Sequence, residues 1–227
     1  MLVLDDADID LFATEAVRGR ILMNGQACSA SKRVIVPRSL HDELASRLSA
    51  VVTGPIVGEA TDPGSQIGPL IHPGAAENVA AQVANARAQG AEVAAGSGEA
   101  DGAFFAPTVL AGVPTSAAVA CDDEIFGPVF NLIPVETEEE AVKVVNASSF
   151  GLVASVFSAS PQRALVIGER LESGGVVING TDNYRPPVIP FGGTKMSGRW
   201  REGLGYALEE LTREKMIVLR RFWERMG

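Results

Sequence analysis

The chain has 227 residues, 46% of them hydrophobic, and a formal net charge of −9 at pH 7. That length and apolar content build one large core or two small ones and exclude a disordered tail, while an acidic balance with no basic stripe argues against a nucleic-acid partner. The longest apolar runs fall far short of the ~20 residues that cross a bilayer, and Met1-Leu2-Val3-Leu4 runs directly into Asp5-Asp6, unlike a secretory leader. Cys28 and Cys121, with His41 and His72, match neither a disulfide framework nor a metal-ligand spacing. The expectation is a cytoplasmic protein with no membrane partner and no structural metal.

Leu2-Val3-Leu4 reads as the end of a strand, after which Asp5 or Asp6 is placed to cap a helix whose apolar positions Ile9, Phe12, Ala13, Ala16, Val17 and Ile21 recur at helical spacing. The helix delivers the chain to Met23-Asn24-Gly25-Gln26-Ala27-Cys28, and a strand from about Arg33 to Val36 leaves it. Cys28 therefore stands in a loop between two regular elements, where a rigid frame holds a group that remains reachable. A thiol reacts as its thiolate, and an ordinary cysteine with a pKa of ~8.5 is only partly ionised at neutral pH. Nearby N–H groups or cations are needed, and Lys32 and Arg33 are placed to supply them. Read by itself, a lone cysteine at an element boundary is more often a small buried hydrophobe than a nucleophile.

The strand ends at Pro37, and Ser39 is placed to cap a helix with Leu40, Leu44, Leu48 and Val51 on one face. Gly54 to Pro69 carries no period and is long enough for a functional or interfacial loop. A helix opens near Pro73, turns Val79 and Val83 inward and stops at Gly90; Ala91 to Ala95 follows as a short strand. Gly96 to Gly102 does not complete a dinucleotide-binding loop and reads as a turn. Phe104 to Leu110 is extended and expected at an edge, because Pro107 cannot donate to a ladder.

Val129 to Val135 is a strand, and Thr137 to Glu140 a capping box before a helix through Asn146. Val153 to Ser158 is the next strand, Ser160-Pro161 opens the next helix, and Gly174-Gly175 releases the chain into Val176-Val177-Ile178. Thr181 to Gly198 is irregular, Arg201 to Leu211 is expected to be helical, and Lys215 to Leu219 reads as a final strand before the basic, aromatic tail Arg220-Arg221-Phe222-Trp223. Alternating helices and strands apolar on both faces predict an α/β fold, a mostly parallel sheet covered by helices. The final strand has no partner in sequence and is expected to join a sheet of this subunit or a neighbour.

Three stretches bear on Cys28 together: Gly25-Gln26-Ala27-Cys28, Glu124-Ile125-Phe126-Gly127-Pro128, and Pro190-Phe191-Gly192-Gly193-Thr194-Lys195-Met196-Ser197-Gly198. Their order and separations, with Leu4-Asp5-Asp6-Ala7-Asp8 and Ile67-Gly68-Pro69-Leu70, resemble the catalytic-domain half of the aldehyde dehydrogenase superfamily across nearly the whole chain. The resemblance implies that Cys28 attacks an aldehyde carbonyl to give a thiohemiacetal, that hydride passes to NAD or NADP, and that water releases the acid from a thioester. It assigns the Cys28 N–H to the oxyanion, Glu124 to hydroxyls of the nicotinamide ribose, and Phe126 to the ring beside it. It further implies that Phe191, Gly192 and Gly193 shape the substrate tunnel and support the cysteine loop, and that Asn179 fixes a nearby loop.

Trp200 stands where the family usually has glycine and is expected to reshape the approach. Arg185, just before the tunnel segment, is placed to hold the anionic end of a short aldehyde, or else to form a surface or interface ion pair. Cys28 is expected in a loop at the sheet's edge, sharing a cleft with Glu124 and Phe126. The resemblance divides the chain into a catalytic domain, residues 1–211, and a C-terminal oligomerisation strand and tail, residues 212–227. The family's cofactor-binding domain and general base find no counterpart here, and Glu15 reads as a solvent-facing helix residue. The expected protein is thus an oxidoreductase portion, forming homo-oligomers and needing a separate cofactor-binding domain to act on a small aldehyde. The alternatives are a non-catalytic fragment serving subunit association and, with no recognisable Cys-His motif, an unrelated thiol hydrolase.

Overall fold

The computed structural model describes residues 1–220. Its strands in chain order are β1 (Leu2–Val3), β2 (Val34–Pro37), β3 (Glu92–Ala95), β4 (Ala100–Asp101), β5 (Phe104–Phe105), β6 (Thr108–Ala111), β7 (Val129–Val135), β8 (Phe150–Gly151), β9 (Val153–Phe157), β10 (Gly175–Ile178) and β11 (Thr194–Lys195). The helices are α1 (Ile9–Ile21), α2 (Arg38–Val52), α3 (Pro73–Ala88), α4 (Glu138–Asn146), α5 (Pro161–Glu169) and α6 (Tyr206–Leu211). Seven strands form one sheet in the order β10-β9-β1-β2-β7-β6-β3, parallel throughout except where β3 runs against β6.

The sheet is buried on both faces because its strands alternate between two apolar layers. Val34 and Val36 of β2 turn to one layer with Phe12, Ala13 and Ala16 of α1 and Leu44, Leu48 and Val52 of α2. Ile35 turns to the other, with Val79 and Val83 of α3, Ala141 and Val144 of α4 and Ile167 of α5. Phe12 meets Phe157 edge to face at 5.2 Å. Full burial of a side chain such as Phe12 or Leu44 contributes about 1.5–3 kcal/mol, so this two-sided core outweighs any single cap or turn.

Local expectations shift where distant groups compete. Asp8, rather than Asp5 or Asp6, caps α1, its carboxylate accepting from the Asp10 and Leu11 N–H groups at 3.0 Å. Asp5 and Asp6 instead face Arg163 of α5, at 2.6 and 3.2 Å. Ser39 caps nothing, since α2 starts directly after Pro37 with no side-chain cap. The Phe104 to Leu110 stretch is split, with β5 pairing β4 in a hairpin and β6 interior between β3 and β7, so the edge belongs to β3. Pro107 stands just outside the ladder, and the Thr108 N–H makes its first bond to Pro128 O at 3.0 Å.

The expected helix from Arg201 shrinks to α6, because Glu202 trades two backbone hydrogen bonds with Phe191 instead, 2.8 and 2.6 Å. Lys215 to Leu219 forms no strand and finds no ladder partner among the described residues; Met216, Ile217, Val218 and Leu219 are exposed. Most of the tail expected after it, residues 221–227, lies outside the described residues.

Cys28 precedes β2, and Glu124 and Phe126 precede β7, which pairs with β2 in parallel register, Val34 opposite Leu132. The two loops therefore lie side by side at the amino ends of central strands, not at the edge of the sheet. Open α/β sheets commonly hold ligands beyond the carboxyl ends of their strands; here both motifs enter from the other end.

Candidate active site

The approach to Cys28 is a strained turn. Helix α1 runs into a one-turn 3-10 segment, Leu22–Gly25, in which Met23, Asn24 and Gly25 all take left-handed backbone, φ 51°, 55° and 76°. Left-handed conformation costs a residue with a Cβ about 1–2 kcal/mol, so neighbours must hold it. The Asn24 side chain donates to Pro69 O and accepts from the Gly68 N–H, both at 3.2 Å. Gln26 accepts from the Ile71 N–H at 2.9 Å. The long loop that looked functional in sequence thus braces the cysteine loop through Gly68 and Pro69.

Gly25 is fixed by more than its φ. A Cβ built on it would overlap the Gly127 carbonyl, so the cysteine loop and the Glu124–Pro128 turn touch backbone to backbone. Gly25→Ala is expected to push these loops apart and to destabilise the chain by at least about 2 kcal/mol, combining the left-handed penalty with the clash. Urea denaturation measures it; a midpoint equal to the parent's would show that the turn yields freely.

Cys28 is exposed, and its N–H donates to no other group among the described residues. Of the two cations beside it in sequence, the structure turns only Lys32 toward Glu124. Its Nζ donates to Cys28 O at 3.0 Å, sits 3.3 Å from Glu124 Oε1 and lies 4.5 Å above the Phe126 ring. Burial holds the Lys32 pKa below the ordinary lysine value and Arg20 pushes it the same way, while Glu124 and Cys28 oppose. The Arg33 guanidinium is engaged elsewhere, donating to Ala120 O, Val144 O and Val145 O at 3.2, 3.0 and 3.1 Å.

Cys28, Lys32, Glu124, Phe126 and Phe191 line one cavity of about 440 Å³. Glu124 and Phe126 are partly open to it, with 34% of the Glu124 side chain and 40% of Phe126 exposed. Arg185 pairs with Glu202 and stacks 4.0 Å over the Phe191 ring, so its charge is already answered within the chain. The Trp200 ring is 77% exposed and is not part of the cavity wall; its carbonyl packs where a Gly192 Cβ would be. A Cβ on Gly193 would meet Ser197. Asn179, at φ 52°, accepts from the Ser158 N–H at 3.0 Å and donates to Ser158 O at 2.9 Å, joining the ends of β9 and β10.

Sequence reasoning passed over the groups that hold the two loops together. Arg20 is fully buried, donating to Val129 O at 2.7 Å, Ile125 O at 2.5 Å and Ala30 O at 3.5 Å. Burial lowers its pKa to about 9, partly offset by Asp182. Asp182, itself buried, accepts from Ser31, and burial raises its pKa. Asn183 accepts from Ser29 and donates to Gly19 O at 2.6 Å. Glu15 is no solvent-facing residue: its carboxylate accepts from the Thr181 N–H at 2.8 Å, and only 17% of the side chain is exposed. One signal was available, since Arg20 continues the Phe12–Ala16 stripe of α1 at helical spacing.

The sequence profile of the aldehyde dehydrogenase family matches residues 1–217. The chain is 41% identical over 218 residues to the succinate-semialdehyde dehydrogenase [NADP(+)] of Deinococcus radiodurans, covering 95% of this chain and 45% of that protein. It is 37% identical over 224 residues to the betaine aldehyde dehydrogenase of Rhizobium leguminosarum bv. trifolii, covering 96% and 46%. Among solved structures, the succinic semialdehyde dehydrogenase of Streptococcus pyogenes in complex with NADP+ superposes with a TM-score of 0.90 at 34% identity, over 96% of this chain and 48% of that one. The chain spans about half the length of the curated relatives it matches. With the same α/β sheet, and a sequence profile that runs through both loops meeting at the cavity, the chain belongs to the aldehyde dehydrogenase family.

Proposed function

We propose that this chain supplies the nucleophile side of an NAD(P)-dependent oxidation of a small aldehyde to its acid, with Cys28 as the nucleophile. The observation that carries the reading is the meeting of Cys28, Lys32, Glu124 and Phe126 at one cavity. The Cys28 thiolate adds to the carbonyl carbon, forming a C–S bond and placing negative charge on the oxygen, and the Cys28 N–H, which donates to no other group among the described residues, is the donor we assign to that oxyanion. Water then releases the acid from the Cys28 thioester. A nicotinamide dinucleotide, when bound, supplies the two-electron acceptor that the oxidation requires.

The cavity fits the nicotinamide end of such a cofactor: the part-exposed Glu124 carboxylate can accept from a ribose diol, and the part-exposed Phe126 ring stands beside it. The cofactor's remaining contacts, and the general base, are assigned to a dinucleotide-binding domain that works with this chain. Because Arg185 and Glu202 form a neutral pair beside Phe191, we assign Arg185 to backing Phe191, which lines the cavity, and not to choosing an anionic substrate. The exposed apolar run Met216 to Leu219, within the oligomerisation segment 212–227, is the surface we assign to a second subunit.

The nucleophile can be tested without any cofactor, since an activated ester needs only thiolate attack. Mixing the chain with p-nitrophenyl acetate is expected to release about one equivalent of p-nitrophenolate in a burst, as an acyl-enzyme accumulates. Cys28→Ser should abolish the burst and Cys121→Ser should leave it. A burst that survives Cys28→Ser, or no burst at all, would remove Cys28 from this role.

A further inference from the structure

This inference rests on the reading of Cys28 as nucleophile and Glu124 as cofactor carboxylate. We propose that Lys32 is a positioning residue that couples the two: one immobilised cation, bound to the cysteine loop and to Glu124 together, favours the Cys28 thiolate and orients the carboxylate beside it.

The geometry leaves the Lys32 ammonium little freedom. Its acceptors are Cys28 O at 3.0 Å, Ala30 O at 3.5 Å and Glu124 Oε1 at 3.3 Å, the Phe126 ring closes one side at 4.5 Å, and only 12% of the side chain is exposed. Three acceptors match the three donors of an ammonium. The backbone is held as well, because the buried Asn131 of β7 donates from Nδ2 to Lys32 O at 2.7 Å. Lys32 is thus tied at one end to β7 and at the other to the turn that precedes it.

A charge fixed in a partly desolvated place acts more strongly than one waving in water. The ionisable groups facing it are Glu124 and Cys28, Arg20 behind it, and Asp182 beyond. Nζ is bonded to the carbonyl of the residue that carries the sulfur, and a fixed cation beside a thiol favours its thiolate. Glu124 shares the same cation, so the two sites are linked through Lys32.

The test separates charge from bracing. In the 227-residue chain, iodoacetamide alkylation of Cys28 and Cys121 is followed by mass spectrometry at pH 7. Lys32→Gln keeps a hydrogen-bond donor but no charge and is expected to slow Cys28 by about 5- to 10-fold, with Cys121 unchanged; Lys32→Arg should stay within about twofold of the parent. The deficit of Lys32→Gln should close above pH 10, where any thiol is ionised. Glu124→Gln, which removes the competing anion, should speed Cys28 about two- to threefold in the parent and not in Lys32→Gln, a double-mutant coupling that bracing alone does not produce.

A Cys28 that is fast in the parent yet indifferent to Lys32→Gln overturns the proposal, as does a Lys32→Gln deficit that persists at pH 10. A Cys28 no faster than Cys121 in the parent instead sinks the nucleophile reading on which the proposal stands. Circular dichroism of each variant identifies any that fail to fold, and the Lys32→Arg comparison then decides between charge and bracing.

Discussion

Given NAD or NADP and a panel of short aldehydes, the purified 227-residue chain is expected to form reduced cofactor at no more than about a thousandth of the ~10 s⁻¹ of a median enzyme. Binding a dinucleotide costs an estimated ~4–15 kcal/mol of lost translational and rotational freedom. Glu124 and Phe126 offer against this about 1.5–3 kcal/mol for a charge-assisted hydrogen bond and about 0.5–1.5 kcal/mol for a stacked ring. The sum, about 2–4.5 kcal/mol, reaches only the bottom of that range, so the acceptor is expected to be held too weakly beside Cys28. A general base supplied elsewhere would contribute a further ~10²- to 10⁴-fold to thioester hydrolysis. Adding a dinucleotide-binding domain, matched to the half of the relatives that this chain does not span, should restore turnover, and Cys28→Ser should abolish it again. Turnover in the normal enzymatic range by the chain alone, lost in Cys28→Ser, would show the chain to be self-sufficient.

The fold was legible wherever burial is periodic. Val34, Ile35 and Val36 are apolar without a break because β2 lies between two helical layers, and a fully buried strand leaves that mark in sequence. Caps and short helices were less legible because several residues compete for each. Asp5, Asp6 and Asp8 are all competent caps, and the choice falls to Asp8 once Arg163, 158 positions from Asp5, draws the first two aside. Arg201 to Leu211 has helical propensity throughout, yet its first residues serve a bridge to Phe191 that no local pattern announces.

The groups that meet at the cavity were legible for a different reason: motif spacing singled out Cys28, Glu124 and Phe126, and the adjacency of β2 and β7 explains why residues so far apart in sequence meet. What fixes them was hidden. Gly25 reads locally as a flexible joint, but its constraint is the Gly127 carbonyl pressed against it. Asn24 reads as a turn residue, and its partners Gly68 and Pro69 are supplied by a loop about forty-five positions away. Single-sequence reasoning sees residue types; it does not see which backbone carbonyl a distant side chain will reach.

Arg20 is the sharpest example, and Arg20→Met is expected to cost about 3–5 kcal/mol of stability. The guanidinium is fully buried, and its donors satisfy carbonyls on both sides of the site: Ala30 after the cysteine loop, Ile125 inside the Glu124 turn and Val129 at the start of β7. Although burial brings its pKa down to about 9, it remains ionised at pH 7 and partners the charge of buried Asp182. Methionine fills the volume but returns none of these interactions, leaving the carbonyls buried without their donor and Asp182 with one neighbouring cation fewer. Against a typical total of about 5–15 kcal/mol, the loss would leave the chain marginal or unfolded at room temperature. Arg20→Lys should recover only part of it, since one ammonium cannot span the fork that reaches all three carbonyls. Urea denaturation at pH 7 reads both variants. If Arg20→Met unfolds within about 0.5 kcal/mol of the parent, the size of change expected at an ordinary surface site, then the two loops are held by their backbone contact at Gly25 and Gly127 and the buried arginine is incidental to it.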